Sequence, residues 1–504
     1  MAANWRPKLG DKFFRPRRLN IYRLRRTLTI PGLFSAGYGD VGSSIYYGLG
    51  VVALAAVGLT PIALAIAGFI YVFNALTYAE GGAMIPEAGG SASFARHAFN
   101  DLIGFISGWA LMLSYIATMA ISAYTIPPYL SYFWPELKEP IFGTAVSMGI
   151  IIFLMLINIL GIKESSRLNI IFIGVDIATQ VSLIILGIIF ILIPHPEILT
   201  QNMFGPGNLP TPEKMILGIA LAALCFTGVE TISQLGEETR LPAKRIPRAY
   251  IIMIFVVLVL FAGISIVALS AMTPQILADP VNGWARDPIA GIAANLPSET
   301  LRTIFAPLVA ILAASILLTA TNAGLMGISR LAFNMSKHQQ MPHTLGQVHQ
   351  HFRTPYISII FYCLISLLLL IPGFFTSTFF AELGSLYVFG SLLCFAFAHA
   401  AIIGLRVKKP EMPRPFKLHL NIKVGNKELP VSALLGLAAT SLIWLVVIFT
   451  QPFSRWVGFL WLIFGFLIYL TFRRREHLPL THIPTERQKP SSVQIVRKGH
   501  NLSR

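Results

Sequence analysis

Stretches of about 20 apolar residues recur from Ile30 to Phe472, and no other feature of this 504-residue chain restricts its fold as tightly. Each is long enough to cross a hydrocarbon layer roughly 30 Å thick as a helix. They fall near 30–57, 61–86, 100–130, 141–160, 170–194, 214–237, 249–273, 301–334, 356–373, 378–405, 431–450 and 455–472, which predicts about twelve crossings. Composition points the same way. The chain is 55% hydrophobic and 12% charged, whereas soluble domains carry about 25% charged residues, so too few polar groups remain to coat a soluble enzyme. The expected fold class is an all-α integral membrane protein.

A net charge of +17 suggests nucleic acid in a soluble chain, but here its position decides. With the N-terminus placed in the cytoplasm, 34 of the 39 Lys and Arg fall on the inner side; only Lys138, Lys214, Arg286, Arg302 and Arg455 fall outside. Such a bias sets both termini in the cytoplasm and requires an even helix count. The basic residues are then a topological and lipid-headgroup signal in the cell membrane, and no nucleic-acid partner is expected. Arg6 to Arg26 form a basic tail whose following apolar stretch outruns a cleavable signal, and the arginines at 25 and 26 lack the short apolar region of a twin-arginine leader.

The expected organisation is a basic tail (1–28), a membrane core (29–405), a Pro-interrupted extended cytoplasmic connector (406–430), two peripheral helices (431–472) and a polar tail (473–504) expected to be disordered after Glu476. Outer loops near 195–213 and 274–300 are the longest, and the second has room for a short surface helix. Cys225, Cys363 and Cys394 sit in apolar stretches with no metal-ligand spacing and are expected to be small hydrophobes. His338, His343, His349 and His351 belong to a solvated inner connection, and neither metal nor cofactor is expected. No His-Glu-x-x-His, Gly-x-Ser-x-Gly or spaced Cys pair supports an enzyme. The 473–504 tail is short for the signalling domain of a receptor.

Glycine and charge inside a crossing are costly unless the freed backbone lines a cavity. Two places combine them. In helix 1, Gly37, Gly39, Gly42 and Gly48 surround Asp40, with Ser43, Ser44 and Tyr47 alongside. In helix 6, Phe226, Thr227 and Gly228 precede Glu230. Small residues alone suit close helix packing, yet packing has no use for a buried acid. The two breaks open successive five-helix blocks, 29–194 and 214–405. An odd number of helices per block inverts the second relative to the first and places a binding site between the breaks.

Several motifs resemble the amino acid/polyamine/organocation transporter superfamily from about Thr29 to Phe472. Tyr78, Glu80, Pro86, Glu87, Gly89 and Gly90 resemble its inner gating segment; Asn158, Gly161, Lys163, Glu164 and Ser165 resemble its start of helix 5. The most specific match is Phe226, Gly228 and Glu230, followed by Glu237, Glu238, Thr239, Pro242, Pro247 and Arg248. Helix 8 adds Thr321, Asn322, Ser329 and Arg330. The resemblance implies five-plus-five inverted repeats with helices 1 and 6 broken, alternating access, and amino-acid substrates. It implies that Gly42, Ser43 and Ser44 cradle a carboxylate, that the Gly228 region takes an ammonium, and that Glu230 couples or gates. Ser114, Tyr115 and Asn322 are candidate pocket walls, with plain helix packing as the other reading for each.

Two departures stand out. Some proton-coupled relatives carry a lysine where this chain has Asp176, so an acid there holds a proton or cation or makes a buried hydrogen bond to Thr179 or a neighbouring helix. The spacing of Gly39, Asp40, Ser43, Ser44 and Tyr47 is similar to the superfamily's potassium-uptake branches, whose carbonyls, hydroxyls and carboxylate suit potassium. The function expected first is import of amino acids or related organic amines, with protons as the coupling ion and Asp40, Asp176 and Glu230 as proton or cation carriers. Proton-linked potassium uptake is the alternative, and a channel the more distant one.

Overall fold

A computed structural model describes residues 26, 28–161, 166–352, 354–376, 378–418, 420–425 and 427–482. Most of the basic N-terminal tail, Lys163, Glu164 and Ser165, and the chain beyond residue 482 lie outside the described residues. "Inner" below denotes the Lys/Arg-rich side.

The first crossing comprises α1 (Ile30–Val41) and α2 (Ile45–Ala56), joined by a 3-10 turn at Gly42–Ser44. Next come α3 (Thr60–Met84), the short inner helix α4 (Ser91–Ala98), α5 (Asp101–Leu130), α6 (Pro140–Leu160) and α7 (Ser166–Gly187). After the outer helix α8 (Pro196–Phe204), the sixth crossing divides into α9 (Pro212–Ala222) and the four-residue α10 (Thr231–Gln234). Then follow α11 (Pro242–Ala271), the short outer helices α12 (Pro274–Ala278) and α13 (Pro288–Ala294), α14 (Glu299–Lys337), α15 (Tyr356–Leu370) and α16 (Phe379–Lys408). A hairpin, β1 (Asn421–Val424) and β2 (Lys427–Pro430), leads into α17 (Val431–Thr450) and α18 (Pro452–Arg475).

Eleven helical stretches among the described residues are long and apolar enough to cross a membrane. One of them, Ile30–Met84, has 55 residues, on the order of 80 Å of helix, more than twice the apolar layer. It turns at Val57 (φ 48°, ψ −120°), so it makes two crossings and the total is twelve. Proline in the first turn starts α3, α6, α9, α11 and α18, where its missing N–H has no intrahelical acceptor to lose.

Helix α5 is the centre. Its most apolar window is 83% buried, against 28% for α6 and α18, because α14 and α16 flank it. Trp109 of α5 and Trp461 of α18 stack at 4.5 Å and each donates its indole N–H to the other's carbonyl, at 2.7 and 2.8 Å. The outward faces, with Phe255 and Phe449 exposed, suit acyl chains.

Three connections differ from expectation. The connector 406–430 is not simply extended but folds into the antiparallel hairpin, with Ile422 opposite Leu429. The 274–300 loop holds two helices rather than one, and its backbone lies directly on α2: a Cβ at Gly50 would sit 1.9 Å from the Ala285 carbonyl oxygen. The segment after Glu476 is ordered at first, since Tyr469 donates to Leu480 O at 2.7 Å and Asp101 N–H to His482 O at 2.9 Å.

Candidate functional site

The two interruptions differ in degree. In helix 1 the backbone stays right-handed through Gly42–Ser44 and only tightens, and the Gly42 N–H donates to Tyr38 O. In helix 6 the break is complete. A 3-10 turn at Ala223–Phe226 gives way to extended Thr227 (φ −79°, ψ 164°) and to Gly228 at φ 90°. That left-handed value is strained for any side chain, and the space forbids one, since a Cβ at Gly228 would lie 2.6 Å from Asp40 Cγ.

This contact is the junction of the two crossings. Thr231 Oγ1 donates to Asp40 Oδ2 at 2.6 Å, while Asp40 Oδ1 is buried with no hydrogen-bond partner among the described residues. Glu230, fully buried, has both carboxyl oxygens without a hydrogen-bond partner among the described residues; the group sits by the amides of Gly228 and Glu230 without reaching hydrogen-bond geometry. Ser43 and Ser44 hydroxyls donate back to Asp40 O at 2.8 and 3.5 Å, and Ser44 and Tyr47 hydroxyls lie 3.1 Å apart. Tyr78, Tyr115, Tyr250 and Tyr387, all buried, stand within electrostatic reach of Glu230. Tyr250 donates to Val229 O at 2.8 Å and so holds the break open from α11. The Tyr115 hydroxyl has no partner among the described residues.

Two acids with unpartnered oxygens, shut away from water, make an expensive arrangement unless a proton or a cationic guest neutralises them. The cluster is therefore suited to holding an ammonium, a metal cation or exchangeable protons.

Asp176 forms a separate centre. Tyr38 donates to its Oδ2 at 3.1 Å, Gln180 Nε2 to the same atom at 2.9 Å, and Tyr46 to Oδ1. Tyr38 and Tyr46 lie on either side of the Gly42–Ser44 turn, so one carboxyl group on α7 grips helix 1 across its tightened point. Thr179, the partner weighed from the sequence, donates instead to Val175 O.

The other expected pocket residues make the following contacts. Ser114 pairs with Ser391 at 2.7 Å in the seam between α5 and α16. Asn322 accepts from Asn158 at 2.6 Å near the inner end of α6. The Phe226 ring packs on Tyr71 and Phe261, and Thr227 turns its hydroxyl to Leu224 O. Gly39 faces Ile173 and Thr319. Sequence reasoning passed over Thr231, Tyr38, Tyr46 and Gln180. Thr231 lies one residue past Glu230 and Gln180 one helical turn past Asp176, so polar side chains near a buried acid were the available signal.

Both mouths are closed. On the inner side Glu80 is fully buried and bidentate with Arg406 (2.8 and 2.5 Å), and accepts from Leu418 N–H at 3.2 Å; Glu238 pairs with Arg330 at 3.1 Å. Burial alone would raise Glu87, but its bond to His97 and the charges of His97 and Arg96 hold its carboxyl well below the usual range. Burial, reinforced by Arg96, pushes the His338 imidazole down to about 3. On the outer side Lys138 pairs with Asp287 at 3.4 Å, and Tyr129 accepts from Ile289 N–H while donating to Tyr46 O. Burial pushes Asp287 up to about 6 against the opposing charges of Lys138 and Arg286.

Comparison with known proteins agrees with this architecture. The family described as "Amino acid permease" matches residues 28–472. The chain is 28% identical to the branched-chain amino acid permease BcaP of Bacillus subtilis, over 90% of this chain and 94% of that protein. It is 29% identical to the human large neutral amino acids transporter small subunit 2, over 72% of this chain and 66% of that protein. It is 27% identical to the methylthioribose transporter of Bacillus subtilis, over 90% and 95%.

Proposed function

The chain belongs to the amino acid permease family, is a multi-pass membrane transporter rather than an enzyme, and on that premise we propose that it imports amino acids or related organic amines in symport with protons. The observation that carries this reading is the junction at which Thr231 and Gly228 of the broken crossing meet Asp40 of the first. An ammonium group bound there neutralises one acid, and a co-transported proton neutralises the other. The apolar bodies of the surrounding tyrosines suit a hydrocarbon side chain, in keeping with relatives named for branched-chain and large neutral amino acids.

A substrate carboxylate needs amides. The Gly42–Ser44 turn supplies them only when it loosens, because the Gly42 N–H is committed to Tyr38 O in the closed state. Asp176 governs that loosening, since its bonds to Tyr38 and Tyr46 span the turn. The proposed cycle is therefore alternating access: inner contacts at Glu80 and Glu238 and outer contacts at Asp287 separate in turn around a fixed centre. The blocks 29–194 and 214–405 are the inverted repeats of that cycle, and both termini lie in the cytoplasm, as the charge bias requires.

The test is uptake of labelled leucine-like amino acids into proteoliposomes with an alkaline interior. The reading predicts accumulation against the substrate gradient that collapses with the proton gradient. Rubidium uptake indifferent to excess amino acids, together with no amino-acid flux, would replace it with potassium transport.

A further inference from the structure

The hairpin between α16 and α17 has an outward face with no partner among the described residues. Strand alternation directs Asn421 inward, where its Oδ1 accepts from Arg406 at 2.5 Å, and directs Leu420 and Ile422 the other way, 71% and 50% exposed. The cross-strand register adds half-buried Leu429 to the Ile422 face, and Lys427 follows two residues back along β2. An isolated two-stranded ribbon is marginal in water unless something covers it.

Position indicates what covers it. The Val431 N–H, at the first residue of α17, donates to Leu420 O at 3.0 Å, so Leu420 stands level with the point where a membrane crossing begins. Apolar side chains therefore meet the boundary of the acyl layer, and the exposed Lys427 shares their face, whereas Lys423 lies opposite Glu428 on the other face. The connector 406–430 as a whole carries seven Lys/Arg against two acids, Glu411 and Glu428.

We infer that this hairpin docks on the inner leaflet, burying Leu420 and Ile422 at the headgroup boundary and binding anionic phospholipid headgroups through Lys427. The inference rests on the inner placement of this side proposed above. Amphipathic segments of this kind bind by buried apolar area together with attraction to anionic lipid. The docked hairpin is joined directly to the inner closure, since Arg406 bonds both Asn421 and Glu80, and Leu418 N–H also reaches Glu80.

The test uses the full chain in nanodiscs, with a nitroxide on Ile422→Cys. The native cysteines Cys225, Cys363 and Cys394 are buried, so the label goes to the introduced thiol. Collisions with oxygen, concentrated among acyl chains, are compared with those of a water-soluble nickel chelate. The expected result is an oxygen excess in discs containing phosphatidylglycerol. That excess falls severalfold in phosphatidylcholine alone, and docking weakens on the order of fivefold in Lys427→Gln, with the melting temperature unchanged. Three results overturn the proposal: nickel excess in both lipids, an oxygen excess indifferent to lipid charge, or shielding from both relaxants, which assigns the face to another segment or protein. Labelling of the same cysteine by an impermeant reagent in intact cells tests sidedness separately, so failure of the orientation and failure of docking are distinguishable.

Discussion

The Asp40 carboxyl group occupies the space that a side chain at position 228 would need, and that single contact explains why the sixth crossing carries glycine at this point. A methyl group at Gly228 meets both a left-handed backbone and the Asp40 carboxyl carbon at 2.6 Å. Gly228→Ala is thus expected to abolish uptake while the protein still inserts, as measured by transport alongside size-exclusion behaviour in detergent. Thr231→Val removes the only hydrogen bond to the Asp40 carboxyl group among the described residues; loss of about 1–3 kcal/mol of stability should appear as a lower melting temperature. For coupling, Asp40→Asn and Glu230→Gln are each expected to flatten the pH dependence of uptake in proteoliposomes. Wild-type pH profiles in both would remove the proton from their roles. The acids were legible in the sequence because carboxyl groups in apolar stretches are anomalous. The tyrosines were not, because an aromatic ring in a membrane helix carries no mark of which way its hydroxyl points.

Among the elements, the first crossing shows the limit of a glycine-based expectation. Four glycines around Asp40 suggested an unwound segment, but Tyr38 and Tyr46, both bound to Asp176, hold the backbone helical through the turn. The interruption in helix 6 has no such clamp and is complete. Asp176→Ala leaves these hydroxyls and the Gln180 amide without their acceptor, at a cost of roughly 3 kcal/mol. Asp176→Asn keeps an acceptor and should lose less; comparing chemical-denaturation midpoints of the two checks this.

The outer loop offers a pH test with a definite sign. Asp287 is raised from 3.8 to about 6 when buried, so the closed loop binds a proton more tightly than an opened, solvated one. Acid therefore favours closure, and closure weakens as pH rises through the window between about 4 and 6, on the order of tenfold per pH unit. Accessibility of a cysteine at Ile289 to an external reagent is expected to rise with pH over this range in the wild type and to stay flat in Asp287→Asn.

Across the whole molecule, twelve crossings followed from apolar run length, a property of sequence that the bilayer itself reads. Closure did not follow in the same way, because it depends on pairs distant in sequence. Glu80 and Arg406 are 326 residues apart, and only folding shows that the glutamate of the gating motif is matched inside the protein. Breaking such a buried pair by Glu80→Gln is expected to cost about 3–5 kcal/mol, read as a large drop in melting temperature. The candidate pocket walls Ser114 and Asn322 were assigned by family resemblance, and each makes a hydrogen bond to a neighbouring helix, to Ser391 and Asn158 respectively. Binding itself tests the central claim most directly. The melting temperature of the purified protein should rise on titration with a branched-chain or large neutral amino acid, by the equivalent of about 2.7 kcal/mol at a hundredfold excess over Kd, and Gly228→Ala should show no rise. An equal rise in wild type and Gly228→Ala would place the substrate elsewhere and contradict the account.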